Sequence, residues 1–586
     1  MILGISGQPH TARNTGLAVG TLAILLLVLA PVLAGLVGAV LPATGWFPPL
    51  GGDMVSLSPL RAFLTEPGLV TSLCLSIFSA LMATVLSYVL AMGLLAALVG
   101  TGGAAVLTRL FSPLLAVPHI TVAVGFLFLL QPSGWLIRLL SPWATGWERP
   151  PNLNLVPDEA GWMLVIGLVA KEVPFFVLMG LSAASQIDAS RLLDGARSLG
   201  RGPLASWCLV VQPQLGRRLI LPVMIVLVFS VSVVDMAVVL APSTPAPLAV
   251  RILVWFRDPD LMRQFVAAVG ALTQIGLALI CCGIWSVTSA IWAKLICHIC
   301  RSGWRLRTQP LLAHAGRFCL LGLAVLPCAL AALGLTSSLI WAFADIWRFP
   351  DSLPSRWGVR AWMMTGDGLL RAAATSLVLG LASASVSVFA AVLWLESASL
   401  RTATRQNGAR DRQMSLRVEG LIYLPLLIPQ ASFLFGLQVL LIWLGVDGMF
   451  MTLLWVHVVF VFPYIMLSLG PSWRRFDPGF TDLAANLGAG PWRRFYAVKL
   501  PILLIPVLTA FAVGFAVSQA LYLPTVFASN GRVATLTTEA VILASGAGRQ
   551  TLGAASVLQM ALPFFVFLAT DLVGLARFRR FSWFRV

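Results

Sequence analysis

The stretch DGARSLGRGPLASWCLVVQP at residues 194–213 is matched by DLAANLGAGPWRRFYAVKLP at residues 482–501, which begins 288 positions later. In both stretches an acidic residue is followed at identical intervals by Ala, Gly and Pro. The matched pairs are Asp194 and Asp482, Ala196 and Ala484, Gly200 and Gly488, and Pro213 and Pro501. Both stretches are polar and interrupted by glycine, which predicts a short helix that ends at a glycine rather than a membrane span. Between the matched acid and alanine stand Gly195 in the first copy and Leu483 in the second.

The rest of the chain is apolar. Of its 586 residues, 59% are hydrophobic and only 10% are charged, and the mean hydropathy is +0.92. A soluble protein of this size needs far more charged residues to form its surface. Apolar segments of about 20 residues cross a bilayer as helices. The composition therefore predicts an all-α, polytopic membrane protein.

Twelve apolar segments are long enough to span the membrane, and an even number places both termini on the same side. The predicted spans are 16–42, 68–99, 105–131, 161–184, 219–241, 264–296, 315–344, 369–396, 419–445, 449–471, 501–527 and 551–577.

The basic residues indicate the orientation. The net charge is +17, with 39 Lys and Arg residues of which only three are lysine, and most arginines fall in short loops between apolar segments. Such a distribution is typical of cytoplasmic loops and does not indicate binding to nucleic acid. It predicts that both termini and the loops 185–218 and 472–500 are cytoplasmic. The eight cysteines do not suggest a disulfide framework, and CHIC at 297–300 is a lone pair without the four ligands of a zinc site.

A second internal match extends the repeat. SPLLAVPHITVAVG at 112–125 is similar to LPLLIPQASFLFG at 424–436, with Pro118 over Pro429 and Gly125 over Gly436. We predict a first half at 1–300 with its polar loop at 188–213, a basic linker at 301–314, and a second half at 315–586 with its loop at 477–501. Parallel repeats of this kind usually carry the transport path at their interface. A duplicated membrane protein without a path is the alternative.

Polar groups inside the membrane are costly and frequently functional. The candidates for the pathway are Asp235, Lys171, Glu172, His119, Gln430 and His457. For Asp235 the two interpretations are contact with a cationic solute and a structural hydrogen bond. Lys171 is expected to pair with Asp235 or with its own surroundings, and the two histidines to form hydrogen bonds between helices. No cluster has metal-ligand spacing, and no nucleophile stands beside a base.

The paired loops resemble the EAA loop of membrane permease subunits of ATP-binding-cassette (ABC) importers, in which E-A-A is followed by Gly and a hydrophobic–Leu–Pro end. The second copy carries Asp482, Leu483, Ala484 and Gly488 and ends in KLP at Pro501, whereas the first ends in VQP at Pro213. The resemblance implies a fused two-half permease in the bacterial inner membrane. It also implies two coupling helices that dock on an ABC ATPase homodimer, and delivery of the solute by a periplasmic binding protein.

The chain lacks the means to bind nucleotide in the usual way. A P-loop requires a lysine followed by Ser or Thr, but Lys171, Lys294 and Lys499 are followed by Glu, Leu and Leu. We therefore expect no cofactor on this chain, with ATP and Mg²⁺ bound by the separate ATPase.

The solute is less well indicated. The stretches VVDMAVVLAPSTPAPLAV and ALYLPTVFASNGRVATLTTEAVILASGAGRQ resemble fused bacterial permeases associated with thiamine import. An acid in the path suits a cation, and aromatic rings can add cation–π contacts. The resemblance implies a small cationic, thiamine-like solute, with ferric iron or a polyamine as alternatives. An ion-coupled secondary transporter is the alternative of another class, in which Asp235 would bind the coupling ion.

Overall fold

The computed structural model describes residues 10–99, 104–153, 155–200, 202–302, 310–404, 418–546 and 548–581. Half of the predicted linker at 301–314, residues 303–309, lies outside these residues.

The first half of the chain forms long apolar helices joined by short helical segments. Its helices are α1 (His10–Ala43), α2 (Ser58–Leu64), α3 (Leu69–Leu98), α4 (Ala104–Ala116), α5 (His119–Leu130), α6 (Trp135–Leu140), α7 (Trp162–Gln186), α8 (Ala189–Ser198), α9 (Pro203–Ser206), α10 (Gln212–Arg218), α11 (Ile220–Ser232), α12 (Asp235–Leu240), α13 (Leu248–Phe256) and α14 (Arg263–Arg301). A π-helical turn, Trp207–Val211, joins α9 to α10.

The second half repeats this order, with a short antiparallel hairpin, β1 (Ala344–Ile346) and β2 (Arg356–Trp357), between its first two long helices. Its helices are α15 (Pro310–Phe343), α16 (Arg360–Thr404), α17 (Leu424–Leu427), α18 (Gln430–Trp443), α19 (Phe450–Arg474), α20 (Gly479–Asn486), α21 (Pro491–Arg494), α22 (Leu500–Ile502), α23 (Leu504–Ala520), α24 (Leu523–Ser529), α25 (Leu536–Ala544) and α26 (Arg549–Phe581). Here the π-helical turn Phe495–Lys499 precedes α22.

Each of the twelve predicted spans corresponds to helical structure, although not always to one straight helix. Among the described residues, nine helices are long and apolar enough to cross a membrane. Two further spans are bent pairs, with a bend of 64° before Ile220 and of 71° before Leu504. The ninth predicted span contains only a shorter apolar helix, Gln430–Trp443.

Prolines explain two interruptions that the sequence prediction drew as continuous helix. Pro118 and Pro429 adopt extended backbone angles, and α5 and α18 each begin at the next residue. A proline lacks the N–H that a helix interior needs, and it disfavours helical geometry in the residue before it. Each third span therefore starts as a short helix, breaks at the proline and resumes.

The two halves share a detailed local structure as well as an order of helices. In the first half, the Leu248 backbone N–H donates to Ser76 Oγ at 2.9 Å, at the start of α13. In the second half, the Leu536 N–H donates to Ser376 Oγ at 2.8 Å, at the start of α25. Equivalent serines therefore satisfy an orphan N–H at the start of equivalent helices, which supports the repeat.

The first span of each half packs against the third span of the other half. A Cβ on Gly334 of α15 would lie 2.6 Å from the Gly125 carbonyl carbon on α5, and a Cβ on Gly38 of α1 would lie 2.7 Å from Gly436 Cα on α18. Glycine pairs of this kind let two membrane helices approach until their backbones touch. The matched glycines of the sequence repeat thus join the halves.

Candidate functional site

A cavity of about 200 Å³ lies between the two halves, lined by α5, α7, α11, α12, α19, α23 and α24 among others. Five of the six polar residues predicted for a pathway line it. They are His119, Lys171, Glu172, Asp235 and Gln430.

Lys171 is buried in α7 and its charge is engaged by the backbone. Its Nζ donates hydrogen bonds to the carbonyl oxygens of Leu114, Leu115 and Val117, at 3.1, 3.2 and 2.5 Å. These carbonyls lie at the end of α4 and in the break before Pro118, where no intrahelical donor is available. The ammonium therefore caps a broken helix, as basic groups do at helix C-termini.

Two buried carboxylates, Glu172 and Asp235, lie along the same side of the cavity. Glu172 Oε1 lies 3.7 Å from His119 Nε2, the first residue of α5. Asp235 is the first residue of α12, directly after the interruption that ends α11 at Ser232. Among the described lining residues, two carboxylates face one ammonium, Lys171, whose hydrogen bonds go to carbonyl groups, so the formal charge of the two acids and the one lysine on this wall is −1.

The second half supplies a chemically different wall. Its lining residues carry no charge, and four of them are aromatic: Phe460, Tyr464, Tyr522 and Phe567. Tyr522 lies in the interruption between α23 and α24, the counterpart of the break beside Asp235. Sequence reasoning missed this wall. The available signal was the rarity of tyrosine, since the chain has only five and two of them face the cavity.

His457 was also predicted for the pathway, but the structure places it outside the cavity lining. Its Nδ1 lies 2.9 Å from Ser518 Oγ and its Nε2 lies 3.0 Å from Thr525 Oγ1. The Thr525 hydroxyl donates to the Leu521 carbonyl at 2.6 Å, so it accepts from His457 Nε2–H. Ser518 precedes the α23–α24 interruption and Thr525 follows it. His457 therefore bridges the two sides of that interruption by hydrogen bonds.

The first polar loop is formed by α8, a left-handed glycine and the π-helical turn. Gly200 has φ +78°, a conformation that side chains with a Cβ rarely adopt, and it stops the chain just after α8. Asp194 and Gly195 are exposed, with Asp194 Oδ1 3.5 Å from Arg197 Nη1. Ala196 is instead buried against its own chain.

The matched prolines lie at equivalent places in the two loops. Pro213 and Pro501 each stand in the first turn of a short helix, α10 and α22, where the missing N–H costs nothing. Beyond each proline the helix bends, by 64° before Ile220 and by 71° before Leu504.

The second polar loop has the same geometry but a different surface. Gly488 has φ +79°, and it follows α20 as Gly200 follows α8. Asp482 and Leu483 are exposed, while Ala484 is half-buried. None of the residues of α20 is buried. This loop therefore stands further out from the helix bundle than the first loop does.

An ion pair anchors the second loop to the membrane helices. Lys499 Nζ, at the end of the π-helical turn, lies 2.6 Å from Glu396 Oε2 on α16. The same ammonium lies 4.8 Å from the centre of the Trp473 ring. The matched position in the first loop is Val211, which is fully buried. The first loop is thus held by apolar packing and the second by charge.

Both loops emerge from the same end of the helix bundle. Arg475, at the end of α19, donates through Nη2 to Ser185 Oγ near the end of α7 at 3.4 Å. The first loop begins just after α7 and the second just after α19. The two loops therefore start side by side on one face of the molecule.

The fold and the cavity define a polytopic membrane transport protein, made of two repeated helical halves with a polar cavity between them. No protein-family model matches the chain. The chain is 30% identical over 524 residues to the inner membrane ABC transporter permease protein YnjC of Escherichia coli strain K12. That match covers 89% of this chain and 91% of the relative. The protein therefore belongs to the inner-membrane ABC transporter permeases.

A second relative matches a smaller part of the chain. The spermidine/putrescine transport system permease protein PotC of Escherichia coli strain K12 is 26% identical over 157 residues. This match covers 27% of the chain and 56% of PotC. The match to PotC therefore concerns about a quarter of this chain.

Proposed function

We propose that the protein is the permease subunit of an ABC importer for a small organic cation, with an aromatic, thiamine-like cation as the first candidate. The observation that carries this proposal is the division of the cavity lining. Buried carboxylates, Glu172 and Asp235, lie on the first-half side, and uncharged aromatic residues, among them Tyr464 and Tyr522, on the second-half side.

The energetics of burial support a cationic solute. An ionised carboxylate away from water is costly unless a positive charge or several donors compensate it. Lys171 donates three hydrogen bonds to backbone carbonyls and none of these to the carboxylates, so a cation entering the cavity would add compensation. Each ring that lies against a desolvated cation adds roughly 0.5–2 kcal/mol. A planar organic cation can use both walls, whereas a ferric ion gains nothing from the rings.

A polyamine is the second candidate. The PotC permease is named for spermidine and putrescine transport, and it matches part of this chain. Two carboxylates on one wall would suit a solute with two ammonium groups. Membership of the ABC permeases argues against the ion-coupled secondary transporter.

The partners follow from the family and the loops. We propose that an ABC ATPase homodimer, which would bind the ATP and Mg²⁺, docks on the two polar loops, and that a periplasmic binding protein delivers the solute. The residues proposed for ATPase coupling are Asp194, Gly195, Ala196, Gly200, Pro213, Asp482, Leu483, Ala484, Gly488 and Pro501. Both loops and both termini would then be cytoplasmic, and the halves would be 1–300 and 315–586.

Reconstitution tests the proposal. The permease, its ATPase and its binding protein would be placed in liposomes, and uptake of labelled thiamine, spermidine and ferric iron measured with and without ATP. Asp235→Asn should lower uptake of the transported cation at least about tenfold, which corresponds to about 1.4 kcal/mol. Asp258→Asn, a partly exposed carboxylate outside the cavity, is the matched control.

Two results would count against the proposal. ATP-independent uptake would refute the ABC mechanism. Equal uptake by the Asp235→Asn and Asp258→Asn variants would mean that the Asp235 carboxylate does not take part in recognising the solute.

A further inference from the structure

We propose that the two cytoplasmic loops bind the ATPase unequally, and that the second loop supplies most of the affinity. The inference rests on the proposed function, since it takes the ATPase as the occupant of both loops. What it adds is a difference between two loops whose sequence motif is shared.

The second loop carries an exposed apolar ridge. Phe480, Leu483 and Leu487 follow one another at intervals of three and four residues, so they share one helical face. They are 53%, 61% and 80% exposed. The exposed rings of Trp492 and Tyr496 stack nearby, with centroids 5.9 Å apart and planes inclined by 14°. We call these five residues the ridge.

The first loop lacks this ridge at equivalent positions. Leu483 is replaced by Gly195, and the exposed Tyr496 by the half-buried Cys208. Among the counterparts whose exposure the structure describes, the exposed apolar residue is Leu199, which matches Leu487 and is 76% exposed. In place of a ridge the first loop has an open groove of about 650 Å³, lined by Arg191, Gly195 and Leu199 among others.

The helix of the first loop also presents more charge than that of the second. Arg191, Asp194 and Arg197 are exposed on α8, whereas α20 carries one charged residue, Asp482. Leu193 and Ala196 of α8 are buried against the chain itself, and Leu192 is half-buried. The described part of the first loop therefore offers a partner a recess with a half-buried apolar lining instead of large projecting side chains.

An ATPase homodimer makes this difference measurable. Its two subunits offer identical docking sites, so any difference in affinity must come from the permease loops. The affinity gained from burying apolar surface grows with the area removed from water. The ridge offers five large exposed side chains to one subunit. The described part of the first loop offers one, Leu199, beside a half-buried apolar lining that includes Ile187 and Val210. The two loops start side by side, so a partner that spans both can reach the ridge.

The test is the affinity of the ATPase encoded beside the permease gene for the permease in lipid nanodiscs. Leu483→Ala combined with Leu487→Ala should weaken binding at least about tenfold. Leu199→Ala, the matched change in the first loop, should weaken it less than about threefold. A Cβ on Gly195 meets nothing within 4 Å, so Gly195→Leu fits the fold and should restore part of the lost affinity.

The outcomes separate this inference from the proposed function. Equal losses from the two loops would overturn the inference but leave docking intact. Unchanged binding by the double variant would also overturn it, and would indicate that lipid covers the ridge. If changes in both loops, including Gly488→Trp, left binding unchanged, the proposed docking function itself would fail. Gel-filtration profiles of each variant would exclude misfolding as the cause of any loss.

Discussion

Replacing Lys171 with methionine tests whether its charge caps a helix or belongs to the solute path. Methionine keeps the length and apolar stem of the side chain but removes the three hydrogen bonds to the carbonyls at the end of α4, which measure 2.5–3.2 Å. Hydrogen bonds from a charged donor contribute about 1.5–3 kcal/mol each in isolation, and they are not additive. Bonds between membrane helices are weaker, at about 0.6–2 kcal/mol.

We therefore expect Lys171→Met to lower the free energy of unfolding by about 3 kcal/mol, since three acceptors lose one shared donor at a buried site. The measurement is thermal unfolding of the purified protein in one detergent and lipid mixture. Lys294→Met is the matched control, because Lys294 is exposed on α14. Lys171→Arg should recover part of the stability, because it keeps a charged donor.

The result that contradicts this reasoning is a Lys171→Met protein as stable as the Lys294→Met control but altered in solute preference. That outcome would place the ammonium in recognition of the solute. A loss of stability without a change in the order of preferred solutes would support the capping role.

Three further changes test the packing and the loops. Gly334→Leu should prevent close approach of α15 and α5 and lower the free energy of unfolding by about 3 kcal/mol or more through overpacking. The control is Gly322→Leu on the same helix, where an added Cβ meets nothing within 4 Å and the protein should fold normally. Thermal unfolding distinguishes the two variants. Gly488→Ala should lower the free energy of unfolding by about 1–2 kcal/mol, because Gly488 has φ +79°, and it should lower solute-stimulated ATPase activity. ATPase activity equal to that of the unmodified protein would contradict a role for this turn in coupling. Reversing one charge of the Lys499–Glu396 pair should lower the amount of solute transported per ATP hydrolysed. Reversing both charges should restore this ratio. A double variant with an unrestored ratio would mean that the two residues do not act as a pair.

Local sequence patterns determined the membrane helices, the helix ends and the turns of this protein. Apolar segment length is enough to place helices in a membrane, since a bilayer leaves few other ways to satisfy the backbone. Pro118 and Pro429 stop helices because of their own covalent structure, and Gly200 and Gly488 occupy left-handed turns that other residues avoid. The repeat of these residues predicted two related halves, and the relationship to ABC transporter permeases agrees with it.

Tertiary structure alone decided how the polar groups are used. Lys171 and Glu172 are adjacent in sequence, yet one caps α4 and the other lies near His119, because neighbouring helical side chains point in different directions. His457 fastens a break in the second half instead of lining the cavity, and the aromatic wall is assembled from several helices that lie far apart in sequence.

The sequence by itself thus determined that the chain is a membrane protein of two repeated halves, with two glycine-ended polar loops. The confinement of the cavity's carboxylates to its first-half side, opposite an uncharged wall with two tyrosines, came only from the tertiary structure, as did the difference between a ridged loop and a grooved one. The physical reason is that helix formation and chain reversal depend on residues within a turn or two. The surroundings of a side chain depend on which helices pack together, and at Gly38 and Gly436, or Gly125 and Gly334, that choice joins segments from opposite halves of the chain.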